Sequence, residues 1–314
     1  MVVVKLVGGL ASQLHKYAVG RALAELSGSE LLLDISNYVG PKKRETQFNF
    51  ELDKLQIKAR LASEAEIARA KGLPNYIGFR IAEGIAGTFG TPRSESPEKL
   101  LRKLFGHTIY KADITKSSSA NFFSGIDTGK DAYIYGEWGM GSALFDHLRG
   151  PLVREFTPRM LSAQATALAD EIAAAANATS LHVRRGDFVS IPENAKFHGS
   201  CSLQYYRSAV EHVTRHTRAP RFFVFSDDIA WSRENLAQFL PADSVFVENL
   251  KNYEDFHLLG RCAHNITANS GFSALSAWAN DNPDKIVITP RQWVTDERIN
   301  AMQLSQLPRE WVFL

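Results

Sequence analysis

The sequence predicts an α/β fold of two doubly wound domains facing each other across a cleft, and three observations carry that prediction. First, the chain opens β-turn-α-β: the β-branched run Val2–Val7 is closed by Gly8-Gly9, Gln13–Ser27 is helical, and Leu31–Leu33 forms a second strand. Second, strand and helix patterns alternate from Leu161 onward, the rhythm of a parallel sheet wound on both faces. Third, 314 residues make two domains at roughly 150 residues each. Gly150-Pro151 and Thr157-Pro158 interrupt the pattern between the halves, which places the domains at 1–155 and 156–314.

Each element has its own signal. In the first helix Leu14, Tyr17, Ala18, Leu23 and Leu26 recur at helical spacing, with Ser12 able to cap the start and Gly28 the end. Ser63–Lys71 is helical in pattern, Gly72–Pro97 is rich in glycine and proline, and Lys116–Ala120 is a polar serine run. Helices and long loops are therefore expected over residues 40–130, in no order the pattern reveals. Tyr133–Tyr135 is a strand leading into Gly136-Glu137-Trp138. Leu161–Ala176 is an Ala-rich helix, Ser180–Val183 a strand, Leu203–His216 an amphipathic helix, and Arg221–Phe225 a strand ending in Ser226-Asp227-Asp228. Helices over Ser232–Phe239, Tyr253–Cys262 and Phe272–Trp278 then alternate with strands over Ser244–Val247, His264–Thr267 and Lys285–Ile288.

Composition narrows the function classes. Apolar residues make up 45% and charged residues 22%, which is ordinary globular usage. Lys plus Arg is 36 against 34 Asp plus Glu, a net charge of +2. That is not the basic field of a nucleic-acid binder, and basic and aromatic residues are not interleaved, so no nucleic-acid partner is expected. Cys201 and Cys262 are too few for a disulfide framework and read as free thiols in a reducing compartment. The opening lacks the charged start and long apolar core of a signal peptide, and no window approaches ~20 uninterrupted apolar residues. A cytoplasmic protein without a transmembrane segment is expected, with peripheral contact at the inner membrane face left open. The sequons at Asn177 and Asn265 are set aside accordingly.

Chemistry concentrates in a few segments. His182-Val183-Arg184-Arg185-Gly186-Asp187 leaves a strand with two adjacent guanidiniums and a glycine behind them. Bidentate, permanently charged donors suit a diphosphate, and glycine lets backbone N–H groups approach the anion. The competing reading is a surface arginine pair bridged to Asp187. Asn269-Ser270-Gly271-Phe272-Ser273 opens a helix after another strand; it reads equally as an anion-accepting N-terminus or as plain capping by Ser270 or Ser273. Asp227 and Asp228 either hydrogen-bond a ribose or base, or cap the helix before Trp231. Too few carboxylates lie nearby for a metal, and none is expected. Glu254 and His257 have half-site spacing for a di-iron centre, but one copy reads as a helix surface. His182 lies within a strand, either as a core residue or as a contact. Trp278 and Trp293 read as packing.

Taken in order, these segments resemble the bacterial α-1,2-fucosyltransferases of glycosyltransferase family 11. The matching residues are Gly8-Gly9-Leu10 with Gln13 and Tyr17-Ala18, His182 to Asp187, His198-Gly199, Tyr205-Tyr206, Phe225 to Asp228, Ala268 to Ser270 with Phe272-Ser273, and Pro290 with Trp293. The resemblance implies a GT-B-like pair of Rossmann-type domains, GDP-fucose as donor, inversion at the sugar, and neither cofactor nor metal. It implies a glycan or lipid-linked glycan acceptor, as in surface polysaccharide synthesis. Arg184, Arg185 and Asp187 would be catalytic. Gly8, Gly9, Gln13, His182, Asp227, Asp228, Asn269, Ser270, Phe272 and Ser273 would line the donor, and Asp34, Glu137, Trp138 and His198 the acceptor. The N-terminal domain would hold the acceptor and the C-terminal one the GDP-sugar. The general base stays open among Asp187, Asp34 and Glu137, although a carboxylate paired with arginine is a weak base.

Three segments depart from the family pattern. Ala11-Ser12 stand for Gly-Asn, Ala274-Leu275 for two tryptophans, and Gly136 to Met140 for Gly-Tyr-Trp-Gln-Ser. They keep two alternatives in view: transfer of another GDP-linked deoxysugar, and a nucleotide-sugar- or glycan-binding protein without catalysis.

Overall fold

A run of valines makes the first strand, and its burial shows why. In the computed structural model, which describes residues 1–39, 48–71, 109–113, 126, 129, 131–137 and 141–314, β1 (Val2–Lys5) is paired on both sides. A central parallel strand has both faces covered and so reads as an unbroken apolar run. Val3 sits opposite Leu32 of β2 (Leu31–Asp34) and Tyr133 of β5 (Ala132–Glu137), and is fully buried. With β3 (Arg60–Leu61) and β4 (Ile109–Asp113) the parallel order is β3-β2-β1-β5-β4.

The first helix, α1 (Leu10–Leu26), begins three residues before the sequence expectation. Gly9 is its N-cap without any side-chain cap, and Ser12 lies inside the helix, where Lys16 Nζ donates to its Oγ at 2.6 Å. Gly28 follows the Ser27 C-cap at φ +58°, the left-handed position that often closes a helix. The short α2 (Glu64–Ala70) is set by a capping box between Ser63 and Glu66. The glycine-rich and serine-rich readings at Gly72–Pro97 and Lys116–Ala120 lie outside the described residues.

The chain divides into two units: Met1–Leu52, Ile57–Gly139 and Ala143–Leu148 form one, and Asp53–Gln56, Met140–Ser142 and Arg149–Leu314 the other. The second opens with α3 (Arg149–Glu155). Gly150 and Pro151, expected to interrupt the pattern, lie in its first turn instead; there a proline lacks only an N–H that would be unpaired anyway. Then come α4 (Ala163–Ala174), β6 (Ala178–Val183), α5 (Gly186–Ser190), α6 (Pro192–His198), α7 (Leu203–His216), β7 (Arg221–Ser226), α8 (Ile229–Leu236) and β8 (Val245–Phe246). The rest is α9 (Asn252–Arg261), β9 (His264–Ile266), α10 (Gly271–Ala279), β10 (Val287–Thr289), α11 (Glu297–Leu304) and β11 (Val312–Phe313).

This second sheet is ordered β11-β10-β9-β6-β7-β8, all parallel. Counted from its own first strand, that is the doubly wound order 3-2-1-4-5-6. Alternate residues of β7 feed its two faces, as a period of two requires. Phe222 and Val224 pack with Tyr206, Ala209 and Val213 of α7, whereas Phe223 and Phe225 pack with Leu168 and Ile172 of α4 and Leu258 and Leu259 of α9.

Glu254, expected at a helix surface, lies in the interior instead. Glu254 is 2% exposed, and its carboxylate accepts Ser162 N–H at 2.7 Å and Lys251 N–H at 3.0 Å. Those bonds hold it below the usual carboxylate range against the opposing effect of burial.

Candidate active site

In the second unit the winding direction reverses between β6 and β9, and ligands of doubly wound sheets bind at the strand carboxyl ends at such a point. Arg184 to Asp187 leave β6, Asp227 and Asp228 leave β7, and Ala268 to Ser270 follow β9. Three adjacent strands thus deliver most of the expected nucleotide residues to one end of one sheet.

The arginines are fixed by carboxylates. Arg184 reaches Asp187 Oδ1 through Nη2 at 2.5 Å and Asp227 Oδ2 through Nη1 at 2.9 Å. Arg185 donates its backbone N–H to Asp227 Oδ1 at 2.8 Å and its Nε–H to Asp228 Oδ2 at 3.2 Å. Its guanidinium lies 3.9 Å over the Trp231 ring. Asp228 also caps α8 through Trp231 N–H at 3.2 Å, so the capping reading holds while the same carboxylate also braces Arg185. A guanidinium has five N–H donors; Arg184 donates one hydrogen bond, to Asp187, and pairs with Asp227 by charge. The rest have no partner among the described residues. Arg184 is therefore the arginine that holds Asp187, and it is oriented with donors to spare.

Gly186 lets the cluster close. A Cβ there would stand 2.7 Å from Asp227 Oδ2 and 3.1 Å from its Cγ, well inside ordinary contact. Beneath the arginines, His182 is buried with its ring 5.5 Å from that of Phe272, and its Nδ1 has no hydrogen-bond partner. Burial pushes the imidazole down to about 4, with Asp227 opposing and Arg184 reinforcing, so it is neutral at pH 7.

The segment after β9 does structural service. Ser270 caps α10 through Phe272 N–H, and Ser273 Oγ accepts Ala268 N–H at 3.2 Å and donates to Ser270 O at 3.3 Å. Asn269 is 3% exposed; its Nδ2 donates to His198 O and Gly199 O at 3.2 Å each and to Trp293 O at 3.3 Å. It fastens the end of α6 and the Trp293 loop beside the arginines. Among the described residues no three His, Cys, Asp or Glu side chains gather into a group able to hold a metal ion. Trp231, Phe188 and Asn194 escaped the sequence reading; only the helical offset of Trp231 from Asp228 gave a usable signal.

In the first unit the expected residues also come to strand ends. Gly8 follows β1 at φ +83°, a conformation glycine adopts freely, and its carbonyl accepts from Tyr38 Oη at 2.8 Å. Gln13 is fully buried: its Nε2 donates to Gly8 O at 3.1 Å and Asn49 O at 2.8 Å, and its Oε1 accepts Glu51 N–H at 3.0 Å. Gln13→Leu leaves these groups unpaired in the interior, so a loss of about 3 kcal/mol is expected. A denaturant midpoint shift without a change in slope checks it. Asp34 is 2% exposed, with Oδ1 accepting Ser36 N–H at 2.8 Å and Oδ2 accepting Tyr133 Oη at 2.6 Å. Glu137 ends β5, beside β1 in the sheet; its side chain and the whole of Trp138 lie outside the described residues.

Comparison with known proteins gives this geometry its context. The model of the family "Glycosyl transferase family 11" matches residues 95–314. An alpha-1,2-colitosyltransferase of Escherichia coli is 31% identical over 315 aligned residues, 99% of this chain and 98% of that protein. The chain belongs to glycosyltransferase family 11. This family-11 protein is thus an enzyme that transfers a sugar. It is 28% identical to the O-antigen biosynthesis glycosyltransferase WbnK of Escherichia coli, over 91% of this chain and 92% of that one. Among solved structures, the fucosyltransferase NodZ from Bradyrhizobium aligns with a TM-score of 0.49 at 15% identity, covering 88% of this chain and 91% of that one. Among the described residues of the enzyme, no helix is long and apolar enough to cross a membrane.

Proposed function

We propose that this family-11 enzyme transfers L-fucose with inversion from GDP-fucose to a glycan hydroxyl, α-1,2 to galactose, in surface polysaccharide synthesis. The second unit would hold the nucleotide and the first the acceptor. The observation that carries the reading is the Arg184–Arg185 pair at the order reversal of the second sheet, braced by Asp187, Asp227 and Asp228. In an inverting transfer the acceptor oxygen attacks opposite the departing diphosphate, through an oxocarbenium-like transition state. Negative charge then grows on the leaving phosphate. Guanidiniums held before the reaction begins stabilise that charge without reorganising, which lets two monovalent side chains serve where a divalent ion otherwise would. The buried neutral His182 and Asp227 would complete the nucleotide floor, while Asp34 would shape the acceptor side from beneath it.

A second donor reading has its own support. Similarity to a colitosyltransferase runs the full length of the chain, and Ala274-Leu275 replace the family's tryptophan pair in the buried first turns of α10. The expected result is sugar transfer from GDP-fucose to a galactoside in the presence of EDTA. GDP-colitose outcompeting GDP-fucose would install the second reading. Transfer from neither, and tight binding of UDP instead of GDP, would overturn both.

A further inference from the structure

The proposed transfer needs a group to take the acceptor's proton, and the carboxylates expected for it are engaged or undescribed. Asp187 is bound by Arg184 at 2.5 Å and by Asn194 Nδ2 at 3.3 Å. Asp34 is buried with both oxygens accepting hydrogen bonds. A histidine, His198, shares the Phe188 ring with Arg184.

Helix α6 ends on His198, and Gly199 turns the chain at φ +65°. The imidazole lies flat on Phe188, centroids 4.2 Å apart and planes within 1°, with Phe197 edge-on at 4.8 Å. The other neighbour of Phe188 is the Arg184 guanidinium, 5.4 Å from its ring. Asn269 fastens the His198 carbonyl. The ring is thereby fixed where the segments after β6, α6 and β9 meet. Neither of its nitrogens hydrogen-bonds to a described residue, and neither is sealed from solvent.

We propose that His198 is the general base of the transfer, an assignment that rests on the inverting mechanism above. A ring nitrogen takes the hydroxyl proton of the acceptor as its oxygen bonds to the anomeric carbon. The bond from that carbon to the β-phosphate oxygen breaks, its electron pair leaves with GDP, and the imidazolium gives its proton to water. Burial holds the imidazole below the ordinary histidine range, with Asp187 opposing and Arg184 reinforcing. Among the described residues these two are the charged groups set against it, and the ring is neutral at pH 7.

The test compares wild type with His198→Gln and with His198→Phe, which keeps the stack on Phe188. Transfer is measured against pH, and GDP affinity by calorimetry. Both variants are expected to lose about 10²–10⁴-fold in kcat with GDP affinity unchanged. Wild type should show an acid limb below about pH 6.5, where the base becomes protonated, and the variants should lack it. A variant with wild-type kcat and an intact acid limb overturns the assignment, as does a change confined to the acceptor KM. Wild type that transfers no sugar overturns the transfer reading itself, a separate result.

Discussion

Arg184→Ala should lower kcat/KM for sugar transfer by about 10²–10³-fold, the loss found when one preorganised donor is removed from a developing anion. GDP affinity should fall as well, by roughly 10–100-fold, since one charge-assisted hydrogen bond is worth about 1.5–3 kcal/mol. The difference between the two losses is the stabilisation specific to the transition state. Asp187 and Asp227 would lose their shared partner, but their side chains are 24% and 26% exposed, so water solvates them and the fold should survive. Arg184→Lys should recover only part of the activity, because a single ammonium cannot span both carboxylates. Steady-state kinetics beside GDP calorimetry decide the matter. An equal fall in GDP affinity and in kcat/KM would mean that Arg184 binds without catalysing.

Gly186→Ala should cost up to about 10²-fold in kcat/KM, the penalty of a displacement approaching 1 Å in a positioned group. The new methyl would sit 2.7 Å from Asp227 Oδ2 and must push that carboxylate off Arg184 and off the Arg185 N–H. Asp227→Ala should reach a similar loss by deleting the same brace. Because both changes act through one contact, the double variant should be little worse than either single one. Additive losses would show that Gly186 matters for some other reason, such as backbone approach to the phosphates.

How much of this was readable follows from where the determining contacts lie. Helix α7 matched its predicted limits at both ends, Leu203 and His216, because the signals are local: a Ser202 cap and an apolar stripe through Tyr206, Ala209, Val210 and Val213. The pattern starts helix α1 three residues late because its N-cap, Gly9, offers no side-chain signal while Ser12 imitates one. The local pattern puts Glu254 at the surface because the groups that bind it include Ser162, ninety-two positions away. The local bridge from the arginine pair to Asp187 was legible, but the bracing by Asp227 and Asp228 was not. Asp227 lies forty-two residues beyond Arg185, and only the parallel pairing of β6 with β7 brings them together. Trp231 hid behind Asp228 for the same reason. In the first unit, strand β3 had no readable signature: Arg60 and Leu61 are both exposed, so no alternation marks it.

Asn269 has a consequence for the lifetime of the enzyme. Its one amide group binds three carbonyl oxygens from two separate loops, and an aspartate there would turn every one of those attractions into repulsion, since a carboxylate has no hydrogen to give. Spontaneous hydrolysis of an asparagine amide makes that exchange without any mutation. At a surface position such ageing passes unnoticed; here it would pry the end of α6 and the Trp293 loop away from the arginines. Burial of this amide among those carbonyls therefore guards the junction that holds the arginine end of the sheet together.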